Sequence, residues 1–286
     1  QRRGSKGRSG MKIRDEDMVV TVSYRGYIKR VPLSTYKAQK RGGKGRSGMK
    51  IRDEDMVTSL FVTDTHTPIL FFTSKGMVYQ LKCYKLPVAA PQALGKAMVN
   101  LLPIDTIEKI QTVMPMPFEK DSWNDLQILF ATKNGNVRRN QLNDFVNIRQ
   151  NGKIAMKLHN DDELVSVLPC NTTDNFFLAT RLGKAIRCDI NDVRIFVGRD
   201  SSGVRGIKLK PNDYVVSMSI VNQDVRQYVL SVTENGFGKR TLVEDYRITN
   251  RGGQGVANIE CSDRNGPVVS SYIVSSDDQI MLVTNV

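Results

Sequence analysis

The sequence predicts an all-β protein of about six propeller-like, four-stranded units, the last of them cut short. Three observations predict it. Apolar, β-rich runs end in a hydroxyl residue at Ser23, Thr73, Thr132, Thr180, Thr233 and Thr284, with spacings of 50, 59, 48, 53 and 51. A glycine lies three residues beyond the first five, at Gly26, Gly76, Gly135, Gly183 and Gly236. No segment carries a sustained helical period.

Each element follows from local chemistry. The first strand of a unit is a run such as M-V-V-T-V-S at 18–23, P-I-L-F-F-T at 68–73 or N-F-F-L-A-T at 175–180. Being almost wholly apolar, it is expected to be buried on both faces. The glycine then turns the chain into a second strand, such as G-Y-I-K-R-V at 26–31, G-N-V-R-R-N at 135–140 or G-K-A-I-R-C at 183–188, which is the pattern of a β-hairpin. This strand mixes apolar residues with cations and is expected nearer the surface. About twenty residues after the turn comes a second glycine marker, opening G-R-S-G-M-K-I at 45–51, G-K-A-M-V-N-L at 95–101, G-K-I-A-M-K-L at 152–158, G-I-K-L at 206–209 and G-V-A-N-I at 255–259. Acidic turns follow, R-D-E-D at 52–55, N-D-D-E at 160–163 and P-N-D at 211–213, and then the next apolar strand. Four short strands per unit is the content of one propeller blade.

The chain opens on an imperfect copy of its own interior. Q-R-R-G-S-K-G at 1–7 parallels Q-K-R-G-G-K-G at 39–45, and residues 6–19 and 44–57 are identical. Residues 1–14 therefore stand apart from a domain expected to span 15–286. Either residues 8–19 pair with the C-terminal strand and close a ring of blades, or the copy is a recent duplication that stays unpaired.

Composition excludes several function classes. At 286 residues, 40% hydrophobic and 25% charged, the chain is long enough to bury a core. No apolar run approaches about 18 residues and the basic N-terminus has no apolar h-region, so cytoplasmic placement away from membranes is expected. Cys83, Cys170, Cys188 and Cys261 are far apart, and His66 and His159 are the two histidines. Reduced thiols without metal or disulfide fit that pattern. G-K-G-R-S-G at 43–48 matches a dinucleotide fingerprint in letters, but strand and acidic turn follow it where that site needs a helix. The carboxylate pairs Asp15–Asp17, Asp53–Asp55 and Asp161–Glu163 recur in phase with the repeat, as polar turns would. No catalytic constellation is present, and no catalytic residue is assigned.

Charge is more informative. There are 42 Lys/Arg against 29 Asp/Glu, and residues 1–57 alone hold 16 against 6. So concentrated an excess is an electrostatic footprint for a polyanion. Beyond it, Lys29, Arg30, Lys82, Arg138, Arg139, Arg187, Lys239 and Arg240 fall at similar points after successive turn glycines. On radially arranged blades they would form a basic perimeter suited to a phosphate backbone; alternatively, they guard strand edges against pairing. The box at 39–45, with Arg46 beside it, has glycines that let backbone N–H groups approach phosphates, cations to meet them, and no interleaved aromatics for stacking on single strands.

These residues carry a specific resemblance. Q-K-R-G-G-K-G at 39–45 matches the box of the DNA gyrase A C-terminal domain family, and the likeness extends through P-L-S-T-Y-K-A-Q at 32–39, V-N-L-L-P at 99–103, S-G-V-R-G-I at 202–207, N-G-F-G-K-R-T at 235–241 and D-Q-I-M-L-V-T at 278–284. The resemblance implies a β-pinwheel, a ring of typically six blades with exchanged strands, that wraps duplex DNA around its rim. The wrap gives the chiral crossover used for negative supercoiling. It implies a DNA-securing role for Gln39, Lys40, Arg41, Gly42, Gly43, Lys44 and Gly45. It also implies, as partners, duplex DNA, the remainder of the gyrase A polypeptide, and the gyrase B polypeptide. The holoenzyme's ATP and Mg would act elsewhere, so this chain would neither cleave DNA nor hydrolyse ATP and needs no cofactor of its own. The related topoisomerase IV pinwheel, whose box is degenerate or lost, is the alternative. A propeller-type protein-interaction scaffold is a third reading.

Overall fold

The computed structural model describes residues 13–36, 55–105, 107–117, 119–159, 161–198 and 201–280. The Gln39–Gly45 box, Arg46 and residues 1–12 lie outside them. Two compact units are formed, one from Gln1–Ile69 with Leu81–Leu102, the other from Leu70–Gln80 with Pro103–Val286.

The described residues fold as all-β structure with short 3-10 turns. The first repeat supplies β1 (Asp17–Ser23), β2 (Tyr27–Pro32) and β3 (Val57–Asp64); the second supplies β4 (Pro68–Thr73), β5 (Met77–Lys82), β6 (Lys96–Ala97) and β7 (Ile110–Pro115). The third gives β8 (Gln127–Thr132), β9 (Asn136–Gln141), β10 (Lys153–Ile154) and β11 (Leu164–Cys170), and the fourth β12 (Asn175–Thr180), β13 (Lys184–Asp189), β14 (Val204–Arg205) and β15 (Val215–Val221). The fifth contains β16 (Tyr228–Thr233), β17 (Gly238–Leu242), β18 (Val256–Ala257) and β19 (Val268–Val274).

The sheets do not coincide with the repeats. Their orders are β3-β1-β2-β6, β10-β5-β4-β7, β11-β8-β9-β14 and β15-β12-β13-β18, with β17-β16-β19 as a three-stranded fifth. Each four-stranded sheet thus takes its two-residue strand from the following repeat, antiparallel to the start of the second hairpin strand, as Val204↔Val137 and Val256↔Ala185 show.

Both glycine signals have a geometric cause. In every hairpin the turn glycine is left-handed, φ 82° at Gly26 and 83° at Gly135, and its N–H bonds the carbonyl of the Ser or Thr three residues earlier. In the first four hairpins that hydroxyl also accepts the N–H four residues on, 3.1 Å for Ser23 from Tyr27 and 3.2 Å for Thr132 from Asn136. The Ser/Thr–Gly pair is therefore one turn motif. The second marker glycine lets the exchanged strand approach. A Cβ on Gly95 would strike the Ile28 carbonyl, one on Gly203 that of Val137 and one on Gly255 that of Ala185. In the fourth repeat this position falls to Gly203 rather than to Gly206.

Strands β4, β8 and β12 are buried at every residue, as expected from their composition. The second strands are nearer the surface in β5, half-buried over most of its length, and in β17, largely exposed; the middles of β9 and β13 depart from the expectation drawn from their cations. Four consecutive residues of β9 and of β13 are buried, because the exchanged strand and the loop before it cover them. Within the second unit the Phe72, Phe130 and Phe145 rings meet at centroid distances of 5.6–5.9 Å. Ring contacts of this kind add to the burial of large apolar area.

Of residues 8–19, expected against the C-terminal strand, Ile13–Val19 are described and are engaged elsewhere. Asp17, Met18 and Val19 pair with Asp64, Thr63 and Val62, and the Thr65 hydroxyl donates to the Arg14 carbonyl at 2.9 Å. Residues 8–12 and 281–286 lie outside the described residues. Among the described residues no helix is long and apolar enough to cross a membrane.

The thiols report on this packing. Burial raises Cys83 to about 11 and Cys170 and Cys188 to about 12, from an ordinary 9.0, whereas Cys261 is half-exposed. In the native protein at pH 8 an aromatic disulfide reagent should label Cys261 alone, and denaturation should release the other three. The stability tied to the buried thiols is complete below about pH 9 and is lost as pH rises towards their folded values. Urea midpoints measured from pH 8 to 11 should fall accordingly.

Candidate nucleic-acid interface

The in-phase cations occupy the third and fourth positions after Gly26, Gly135 and Gly236 and the fourth after Gly183, whereas Lys82 is the sixth residue after Gly76. In the first unit these are Lys29 and Arg30. The ammonium of Lys29 is buried and donates to the carbonyls of Pro91, Ala93 (2.7 Å) and Ala90 (3.4 Å). Arg30 donates from Nε to Leu86 (2.8 Å) and from a terminal nitrogen to Tyr84 (3.1 Å). Lys82 is half-buried at the end of β5.

The second unit repeats the arrangement. Arg138 is fully buried and donates to the carbonyls of Ser201 (2.9 Å), Ala155 (3.3 Å) and Gly198. Arg139 reaches the Asn191 side-chain carbonyl at 3.2 Å. Arg187 bonds the Asn175 amide oxygen (2.9 Å) and the carbonyls of Val243 (3.0 Å) and Tyr246 (3.4 Å). The main chains of Arg30, Arg139 and Arg187 form parallel bridges to Val88, Ile195 and Ile248. Side chain and backbone of one residue therefore fasten the same passing loop. Desolvation draws Lys29, Arg139 and Arg187 below their ordinary pKa values.

This corrects the expected exposure of the basic track. Lys29, Arg138, Arg139 and Arg187 are inside the protein, and a phosphate could reach them only if the loops lifted away. Their recurrence has a packing cause. A loop outside regular structure leaves carbonyls without partners, and a long cationic side chain provides several donors at once. Lys239 and Arg240 of β17 are exposed, with Arg240 over the Tyr228 ring at 4.6 Å.

Other cations are brought outward. Arg149, Arg194 and Arg247 are exposed on the loops between the 3-10 turns and the two-residue strands, and Arg205 and Lys208 are exposed at and beyond β14. Phase-matching of strands misses them because they lie on loops. A search for arginine in the stretch before each marker glycine would find the first three. Arg251 is half-buried and ties its loop to the Asp192 carbonyl at 2.8 Å. The acidic turns serve the backbone: Asp55 accepts from the Arg25 N–H, Asp162 from Asn134 and Asp213 from Leu182, each at 2.9 Å.

Exchanged strands, fastened loops and outward basic side chains together define a propeller-like repeat protein with cationic loop surfaces. The chain belongs to the DNA gyrase C-terminal domain, beta-propeller family, whose model matches residues 1–24, 17–64, 67–113, 127–171, 174–222 and 227–275. It is 44% identical over 319 residues to the DNA gyrase A protein of Rickettsia bellii (strain RML369-C), covering 96% of this chain and 35% of that protein. To the gyrase A protein of Staphylococcus aureus (strain NCTC 8325 / PS 47) it is 41% identical over 273 residues, covering 96% and 30%. The chain thus spans about a third of these relatives. Among solved structures it resembles the C-terminal domain of DNA topoisomerase IV (TM-score 0.79, 27% identity, 92% of this chain and 79% of that one). It also resembles the DNA gyrase A C-terminal domain (TM-score 0.68, 28% identity, 92% and 84%).

The two kinds of cation separate by stability. Arg187→Met, which strands buried carbonyls, should cost on the order of 1–3 kcal/mol in urea unfolding. Lys239→Ala should stay within about 0.5 kcal/mol of the parent.

Proposed function

We propose that this chain binds duplex DNA without reading its sequence and wraps it around a basic rim. In this reading it is the wrapping part of a cytoplasmic DNA gyrase, working with the remainder of the gyrase A polypeptide and with the gyrase B polypeptide. The observation that carries this reading is the intact Q-K-R-G-G-K-G box at 39–45 in a chain of this family. Exposed Lys239, Arg240, Arg149 and Arg247 support it, since guanidinium and ammonium groups position a phosphate backbone without contacting base edges. The same box favours gyrase over topoisomerase IV, despite the structural likeness to the latter. Buried Lys29, Arg138, Arg139 and Arg187 act in this reading by holding loops, not by touching DNA.

Two measurements test it. On a duplex of about 150 base pairs, one persistence length, log affinity should fall steeply with log salt, each phosphate contact adding about −0.9 to the slope. A slope near zero defeats the phosphate-contact reading. Replacing Lys40, Arg41 and Lys44 with Ala should abolish the topology shift of a closed circular plasmid while most affinity survives. Unchanged topology in that variant counts against the role given to the box.

A further inference from the structure

The loop after the third 3-10 turn of the second unit has a feature that its counterparts lack. The residue following the parallel bridge is Phe196 here, but Ala89 beyond Val88 and Thr249 beyond Ile248. Phe196 is 4% exposed and is held on all sides. Its N–H donates to the Arg139 carbonyl at 2.8 Å, and its carbonyl accepts from the Asn140 amide at 3.0 Å. The buried Arg138 guanidinium stands 5.7 Å from the ring centroid. The exposed Arg194 guanidinium stands 4.2 Å from the same centroid.

We propose that Phe196 is a positioning shelf, fixed from within by Arg138 and Asn140, that presents the Arg194 guanidinium pre-ordered to a phosphate of duplex DNA. The inference rests on the DNA-binding reading above and adds to it a contact and the residue that prepares it. An exposed arginine ordinarily loses rotamer freedom when it grips a phosphate, and that loss weakens the contact. Stacked on a ring that is itself immobilised, Arg194 gives up much of that freedom on folding. Its guanidinium is held over the ring while the exposed side chain keeps N–H groups for the forked bonds that suit phosphate oxygens. Arg247, one residue before the bridge at Ile248 as Arg194 is before the bridge at Ile195, has threonine where Arg194 has the shelf. It serves as the internal control.

Salt-dependent binding of the 286-residue chain to duplex DNA tests this, with thermal unfolding run on each variant. Arg194→Ala should weaken binding and make the salt slope shallower by about 0.9, one phosphate contact. Phe196→Leu keeps every charge, so its slope should match the parent while affinity drops about two- to fivefold, the worth of one exposed cation–π contact. Phe196→Tyr, which keeps a π face, should restore the parental affinity. In the Arg194→Ala background Phe196→Leu should do nothing further, whereas in the Arg247→Ala background it should keep its full effect. Full parental affinity of Phe196→Leu, or an equal loss with and without Arg194, overturns the shelf. Should Phe196→Leu lose its unfolding transition, Arg194→Leu carries the test: a slope equal to the parent's shows that Arg194 touches no phosphate and ends the proposal. A parental slope near zero is a different result, defeating the DNA-binding reading itself.

Discussion

Backbone carbonyls that have left regular structure must still find donors, and this protein meets that demand with cations. In the second, fourth and fifth repeats the chain between the 3-10 turn after the hairpin and the two-residue strand runs alongside the preceding hairpin, joined to it by a single parallel bridge rather than a full ladder. Lys29, Arg30, Arg138 and Arg187 reach into these stretches and bond two or three acceptors apiece. Burying a charge costs heavily unless it is hydrogen-bonded, and here the carbonyl dipoles provide the bonds. Loop placement, strand exchange and the outward aim of the loop arginines all depend on this fastening.

The same constraint links core to surface. The exchanged strand can pair only because glycine removes a Cβ that would strike the carbonyl of the preceding hairpin. Once paired, it fixes the end of the loop, and the buried cation fixes the middle. Side chains on the far side of that loop, among them Arg194 and Arg247, are then carried by a scaffolded segment rather than a loose one; on the loop that carries Arg149 the Gln80 amide takes the cation's place, donating to the Val146 carbonyl at 2.9 Å. A contact surface built this way keeps its charges spaced, which suits a regular polyanion better than a flexible tail would.

Much of this architecture is legible in the residues. The Ser/Thr–Gly motif marks every hairpin because both halves have local causes: a left-handed turn in all five, and a hydroxyl that accepts the N–H four residues on in four of them and donates to the Phe237 carbonyl in the fifth. The almost wholly apolar run at 175–180 announces a strand buried on both faces. The acidic turns are polar structure, as their recurrence implies, since Asp55, Asp162 and Asp213 bond turn amides. The cations mislead. A strand carrying Lys29–Arg30 or Arg138–Arg139 has the letters of a solvated edge, and phase-matching makes those positions look like a binding track. Two-residue strands such as Val204–Arg205 are too short for any periodicity to reveal which hairpin they join.

The repeat, its hairpins, the all-β class and the family can all be read from the residues, because each rests on chemistry within a few residues or on recurrence along the chain. Which basic residues face water is set by long-range contacts. Lys29 meets carbonyls more than sixty residues away, and Arg187 meets one 56 residues away. Whether a guanidinium ends in solvent or among acceptors is set by which distant loop passes over it. Local pattern does not contain that information, because the same letters serve both arrangements.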